Sequence, residues 1–165
     1  MISISINNIK QFMNCLLLKN TFDNFLLSEA VIVTGNTFTI DGQINTDFYS
    51  DEELKTLPSL KYKTWASLKP FVLSLIKGNK VPELMRLVFV LSEDLTEQLI
   101  KTNDIDIDPC NVNGLFLNVR FQEESLILTS ASSISVFTLD KSLDHAFENY
   151  IRNFLDDSQL EYAED

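Results

Sequence analysis

A chain of 165 residues that is 45% hydrophobic, 22% charged and 10% aromatic is sized and composed for one globular domain with its own core. That composition excludes a disordered chain, a collagen-like fibre and a disulfide-stapled miniprotein. The 13 Lys and Arg stand against 24 Asp and Glu, a formal net charge of −11, which excludes a protein that wraps nucleic acid with its whole surface, because phosphate binding needs an excess of cations.

Residues Met1 to Ile6 alternate and carry no basic residue, which predicts a strand over 2–6 and not a secretory leader. Asn7 or Asn8 then caps a helix, since a short side-chain oxygen accepts from the free amides of a first turn. Ile9, Phe12, Met13, Leu16 and Leu17 follow at helical spacing. Two β-rich runs, 26–34 and 37–44, flank Thr34-Gly35-Asn36 and read as a hairpin, with Asp41-Gly42 turning or ending the second. Residues 45–63 are irregular apart from a short helix over 51–54. A helix is predicted over 65–77 with Leu68, Phe71, Val72, Leu75 and Ile76 facing inward. Pro70 fits a first turn, so Ser67 is the expected cap, and Gly78 ends the helix.

Residues 84–91 are almost continuously apolar and are expected as a central strand buried on both faces. Ser92 starts a helix with Glu93 and Asp94 in its first turn, where the dipole favours anions, and with Leu95, Leu99 and Ile100 inward. After a loop at 102–112, strands are predicted over 114–121, 125–130 and 134–139, with Ser130, Ser132, Ser133 and Ser135 in the last turn. Phe38, Phe116, Phe121 and Phe137 are core residues by strand phase. A helix runs from Ser142 to Leu155, and the acidic tail 156–165 is expected to fray. The longest apolar run, Leu87 to Leu91, is far short of the roughly 20 residues that cross a bilayer, so no membrane partner is expected. Cys15 and Cys110 lie far apart, and free thiols point to the cytoplasm.

This order predicts an α+β fold, an antiparallel sheet with helices on one face, in one domain over 1–155. Two β-α-β-β(-β) units at 1–44 and 84–139 read as a pseudo-repeat about a pseudo-twofold axis, joined by a helical connector at 45–83. Val31, Val33, Phe38 and Ile40 are read in the same phase as Val119, Phe121, Leu126 and Leu128.

Four stretches carry a family resemblance: Phe25-Leu26-Leu27-Ser28-Glu29-Ala30, Asn36-Thr37-Phe38-Thr39-Ile40-Asp41-Gly42, Asn113-Gly114-Leu115-Phe116-Leu117-Asn118 and Phe137-Thr138-Leu139-Asp140-Lys141. Through them the chain resembles, over nearly its whole length, a family of uncharacterised proteins from Firmicutes, chiefly Clostridia. That family has no known function and lends no catalytic residue. A second resemblance is architectural. A strand, a helix over Ser92–Lys101 and a three-strand meander look like half of a DNA sliding-clamp domain, best over 88–130. Clamps line their pore with basic helices, and this chain departs there: Lys10 and Lys19 are alone on the first helix, and Lys101 faces Glu93, Asp94 and Glu97 on the other.

Charge is uneven along the chain. Residues 54–82 hold six lysines and no acid, while 83–165 hold 17 acids and five bases. Tyr62 and Trp65 lie inside this basic island. Lysines beside flat aromatics suit a polyanion or an acidic partner, which makes Lys55, Lys61, Lys63, Trp65, Lys69, Lys77 and Lys80 the candidate binding residues. The bland alternative is that Trp65 plugs the core and the lysines solvate its edge.

Catalytic and metal signatures are weak. His145 is the only histidine, falls off the apolar stripe and is expected to be exposed and isolated. Asp104-Ile105-Asp106-Ile107-Asp108 opens like a calcium loop, but Pro109 stands where glycine is needed and Leu115 where a bidentate glutamate is needed. Clustered Cys and His for zinc are absent, as are GxGxxG, the P-loop pattern and GxSxG. The expectation is therefore a non-enzymatic binding or adaptor module of the cytoplasm, with no cofactor and no metal, whose partner is another protein. Nucleic acid through the basic segment, or an acidic DNA mimic, is the alternative.

Overall fold

The computed structural model describes residues 1–78 and 80–165. The alternating segments form seven strands: β1 (Ser3–Ile6), β2 (Leu26–Val33), β3 (Thr37–Asp41), β4 (Leu84–Val90), β5 (Val112–Gln122), β6 (Ser125–Ile134) and β7 (Tyr162–Glu164). They make one sheet in the order β3-β2-β4-β5-β6-β1-β7, with every neighbouring pair antiparallel. Among the described residues, five α-helices accompany it: α1 (Ile9–Leu17), α2 (Asp51–Lys55), α3 (Trp65–Ile76), α4 (Glu93–Thr102) and α5 (Ser142–Asp157).

Strand period two puts one row of side chains inward. Ile40, Ala30, Leu87, Val119, Leu128 and Ile4 are consecutive partners across the sheet, and all but Ile40 are fully buried. The next row, Thr39, Val31, Arg86, Arg120, Ile127 and Ser5, faces the opposite side and is half-buried or exposed. Phe12 of α1, Trp65 of α3, Ile100 of α4 and Phe147 of α5 join the inward row in one cluster. These four helices therefore cover one face, and each fully buried aliphatic or aromatic side chain contributes about 1.5–3 kcal/mol by leaving water. The expected burial of the central strand on both faces is not found: Leu84, Arg86 and Val88 are half-buried on the helix-free side.

The pseudo-repeat does not survive the topology. β4 and β5 are adjacent, whereas β4, β5 and β6 all lie between β1 and β2. Val31 and Val33 pair with Thr39 and Thr37, so the face shared with Phe38 and Ile40 belongs to Ala30 and Ile32. The run Ala30 to Val33 is apolar at every position, so its phase was ambiguous; the bulge between Leu27 and Glu29 and the pairing with β4 decide it.

The clamp-like three-strand meander is also not found among the described residues. Ser130, Ser132 and Ser133 continue β6 opposite Leu117, Leu115 and Gly114 rather than forming a turn, because the 11-residue β5 keeps offering backbone partners. Residues 135–141 are then left outside the sheet, and Phe137 is 91% exposed rather than core. Phe38 and Phe116 are half-buried.

Asn8 caps α1 by accepting from the Gln11 amide at 3.0 Å. In α3 the cap is Thr64, which accepts from Ser67, and not Ser67 itself. The cap falls at Thr64 because the 61–65 segment is tied down beside the sheet: the Ile44 and Leu27 amides donate to the Lys61 and Lys63 carbonyls, and the Trp65 amide donates to the Phe25 carbonyl, at 2.7–2.8 Å. Pro70 thus sits in the helix interior. The carbonyl it leaves free is that of Ala66, and both residues are exposed, so water can satisfy it. Trp65 also turns the inner stripe towards Val72 and leaves Phe71 62% exposed. Gly42 ends β3 earlier than expected and lies against β2, where a Cβ would come within 1.7 Å of the Leu27 carbonyl oxygen. Among the described residues, no helix is long and apolar enough to cross a membrane.

The acidic tail is packed. Leu160 is buried, and Tyr162, Ala163 and Glu164 pair with Ile6, Ser5 and Ile4 of β1. An edge strand needs a backbone partner, and the Arg152 guanidinium holds this one by donating to both Glu164 oxygens, Nη2 at 3.2 Å. That hydrogen bonding keeps the Glu164 carboxyl below the ordinary glutamate range. A depressed carboxylate stabilises when ionised. Its contribution is complete above the unfolded pKa of about 4.3 and is lost as pH falls through the lower folded value. Amide protection at residues 162–165 is therefore expected to fall below about pH 4. Arg152→Ala should lower it at neutral pH while protection at Val119 and Leu128 holds. Hydrogen exchange read by mass spectrometry checks this; unaltered protection in the variant would show that the β1 ladder alone holds the strand.

Candidate functional site

The basic island is dispersed by the fold. Trp65 has no exposed surface; its Nε1–H donates to the Leu16 carbonyl at 2.8 Å and its ring meets Phe89 edge-on at 5.3 Å. Lys69 is largely covered and donates to Asp23 Oδ1 at 2.6 Å and the Lys19 carbonyl at 3.0 Å. Lys63 lies over the Tyr49 ring, 5.0 Å from its centre, a cation–π contact. Lys55 closes α2, Lys77 caps the end of α3, and Lys61 and Lys80 line separate cavities. Among the described residues, Lys55, Lys61, Lys77 and Lys80 have no carboxylate within salt-bridge distance. No single patch gathers all seven positions, and Trp65 has no free face for stacking.

The first cavity, of about 220 Å³, opens at the start of α4. Lys61 and Tyr62 line one part of it, and Glu93, Glu97 and Cys110 another. The exposed Cys110 thiol is pushed above its ordinary value by its hydrogen bond to Asp108 and by that carboxylate's charge. A thiol kept protonated in this way is a poor nucleophile at neutral pH. Asp108 itself caps the turn at Pro109–Asn111 by accepting from the Cys110 amide. In the run 104–108 the isoleucines are half-buried and the three aspartates face solvent.

His145 is exposed as expected but not isolated: its Nδ1 is 3.6 Å from Glu148 Oε2, whose other oxygen is 3.0 Å from the Met1 amino group.

A second site was not legible from the sequence. A groove of about 410 Å³ lies between α1, the start of β4 and the end of β5. Ile9, Met13, Leu17, Met85 and Phe121 supply an apolar lining, and Val81 and Pro82 make one wall. Lys10 and Lys80 are its charged lining residues, and no acid lines it among the described residues. Ile9 and Met13 belong to the helical spacing read from the sequence. Both are half-buried because they sit on the flank of the α1 stripe, where Phe12 and Leu16 take the interior. Lys10 stood out only as an isolated base.

A third feature is the segment 135–141. Val136, Phe137 and Leu139 are 44%, 91% and 83% exposed. Both ends of the segment are fixed: the Ser135 amide donates to the Asn111 carbonyl at 2.8 Å, and Asp140 accepts from the amide and hydroxyl of Ser142. Those hydrogen bonds hold the Asp140 carboxyl below the ordinary aspartate range.

Comparison with known proteins adds one finding. The family described as "Family of unknown function (DUF5721)" matches residues 15–163. The chain belongs to the DUF5721 family. The match runs from the end of α1 to β7, so the expected resemblance to a family of unknown function holds over almost the whole chain. No curated protein and no solved structure matches.

The burial of Trp65 gives a direct test on this DUF5721 chain. Trp65→Ala is expected to cost about 3–5 kcal/mol, because a buried aromatic leaves a cavity, and it also strips the Leu16 carbonyl of its donor. Lys55→Glu and Lys77→Glu, both exposed, are expected to stay within about 0.5 kcal/mol of the parent. Urea unfolding measures all three; equal effects would contradict the placement of Trp65 as a core anchor.

Proposed function

We propose that this chain is a non-enzymatic binding module of the cytoplasm that takes an acidic, apolar segment of a protein partner into the groove beside α1. The observation that carries this reading is the charge of that groove. On a chain of net charge −11, an apolar trough lined by Lys10 and Lys80 and by no acid among the described residues is an electrostatic exception. Such a site attracts carboxylates at long range and holds apolar side chains by exclusion of water. Lys80 is the member of the basic island that this reading retains as a binding residue. The free thiols Cys15 and Cys110 support a reducing compartment.

Labelled peptides with one apolar core and acidic, neutral or basic flanks provide the test, read by fluorescence anisotropy. The acidic-flanked peptide is expected to bind about tenfold tighter than the basic-flanked one, equivalent to about 1.4 kcal/mol. Its affinity should weaken as salt shortens the screening length. Lys10→Glu with Lys80→Glu should reverse the order. Equal binding of all three peptides, or none, would contradict the proposal.

A further inference from the structure

We infer that the groove receives residues 136–140 of a second copy of this chain, so that molecules associate head to tail; this rests on the groove reading above and names its occupant. The donor is the segment after β6. Phe137 and Leu139 project into solvent from a stretch fixed at both ends, so little ordering is required when they are buried. An apolar pair followed by a carboxylate matches a groove of apolar side chains with lysines along it. Asp140 accepts from the Ser142 hydroxyl and amide, which favour its charged form. Asp106 lies beside Phe137 along the same shallow cavity and adds to the negative charge.

The sheet keeps donor and receiver apart. Ile134, just before the donor, pairs with Val112 at the start of β5, while Phe121 of the groove lies at the other end of that strand. Nine residues of extended chain separate Val112 from Phe121, about 30 Å at roughly 3.4 Å per residue. A segment tied at Asn111 and at Ser142 does not reach across that distance into its own groove. The contact is therefore between different surfaces of two molecules, and its repetition closes into a ring, of which a reciprocal pair is the smallest, or continues as an open chain.

Sedimentation velocity of the full chain across a concentration series tests this. The wild type is expected to rise above the 18.8 kDa of one chain and to fall back towards it in high salt. Phe137→Asp with Leu139→Asp removes the donor. Met13→Glu removes the receiver, and Lys10→Glu with Lys80→Glu is a second receiver variant at exposed positions should Met13→Glu misfold. Each variant alone should stay at one chain, and an equimolar mixture of donor and receiver variants should form a 1:1 pair and nothing larger. A wild type that stays at one chain but binds acidic-flanked peptides overturns the second copy and leaves the groove reading standing. Loss of both overturns both. A donor variant that associates like the wild type, or a mixture that does not pair, also overturns the inference.

Discussion

The indole of Trp65 holds the architecture together at the point where three parts of the chain meet. The Leu16 carbonyl belongs to the last turn of α1, where carbonyls lack partners within the helix. Buried and unpaired it would be costly. The indole N–H is a donor with no acceptor capacity and has the complementary need. The two satisfy each other at 2.8 Å, beneath a cluster in which Phe22, Phe25, Phe89 and Phe154 pack at ring separations of 5.1–6.0 Å. The bond joins the end of α1 to the start of α3, and the backbone of 61–65 joins that start to β2.

This anchor explains why the basic island is not one surface. Once Trp65 is inside, the helix that follows carries Lys69 to the corner where Asp23 and the Lys19 carbonyl await it. Lys61 is held back at the mouth of one cavity, and Lys80, beyond the helix, comes to the groove beside α1. Charge that is contiguous along the sequence is separated in space by one core residue. Lys10 and Lys80, 70 positions apart, are brought together instead.

The α+β class, the helix-covered face and most elements were legible because their periodicity was strong: Ile2, Ile4 and Ile6 alternate without ambiguity, and Phe12 and Leu16 repeat at helical spacing. Legibility failed where local pattern and long-range pairing disagree. Val136, Phe137 and Leu139 have the composition of a strand, but β5 has no residues left to pair with them. Tyr162 to Glu164 look like a charged tail, yet β1 offers an unpaired edge and Arg152 a partner. The groove joins α1 to β4 and β5 across more than 100 residues of chain, and nothing local announces it. Trp65 could be read either as a flat binding surface or as a plug, and the carbonyl that decides between them lies 49 residues away.

The central claim is that the exposed segment after β6 and the groove beside α1 are two halves of one interface. Its most direct measurement is a photo-crosslink from a benzophenone amino acid at position 137, in an equal mixture of isotopically light and heavy chains. The account predicts light–heavy cross-links that map to α1 and to residues 81–85. Cross-links confined to single chains, or mapped to the helix-free face around Arg86 and Arg120, would contradict it.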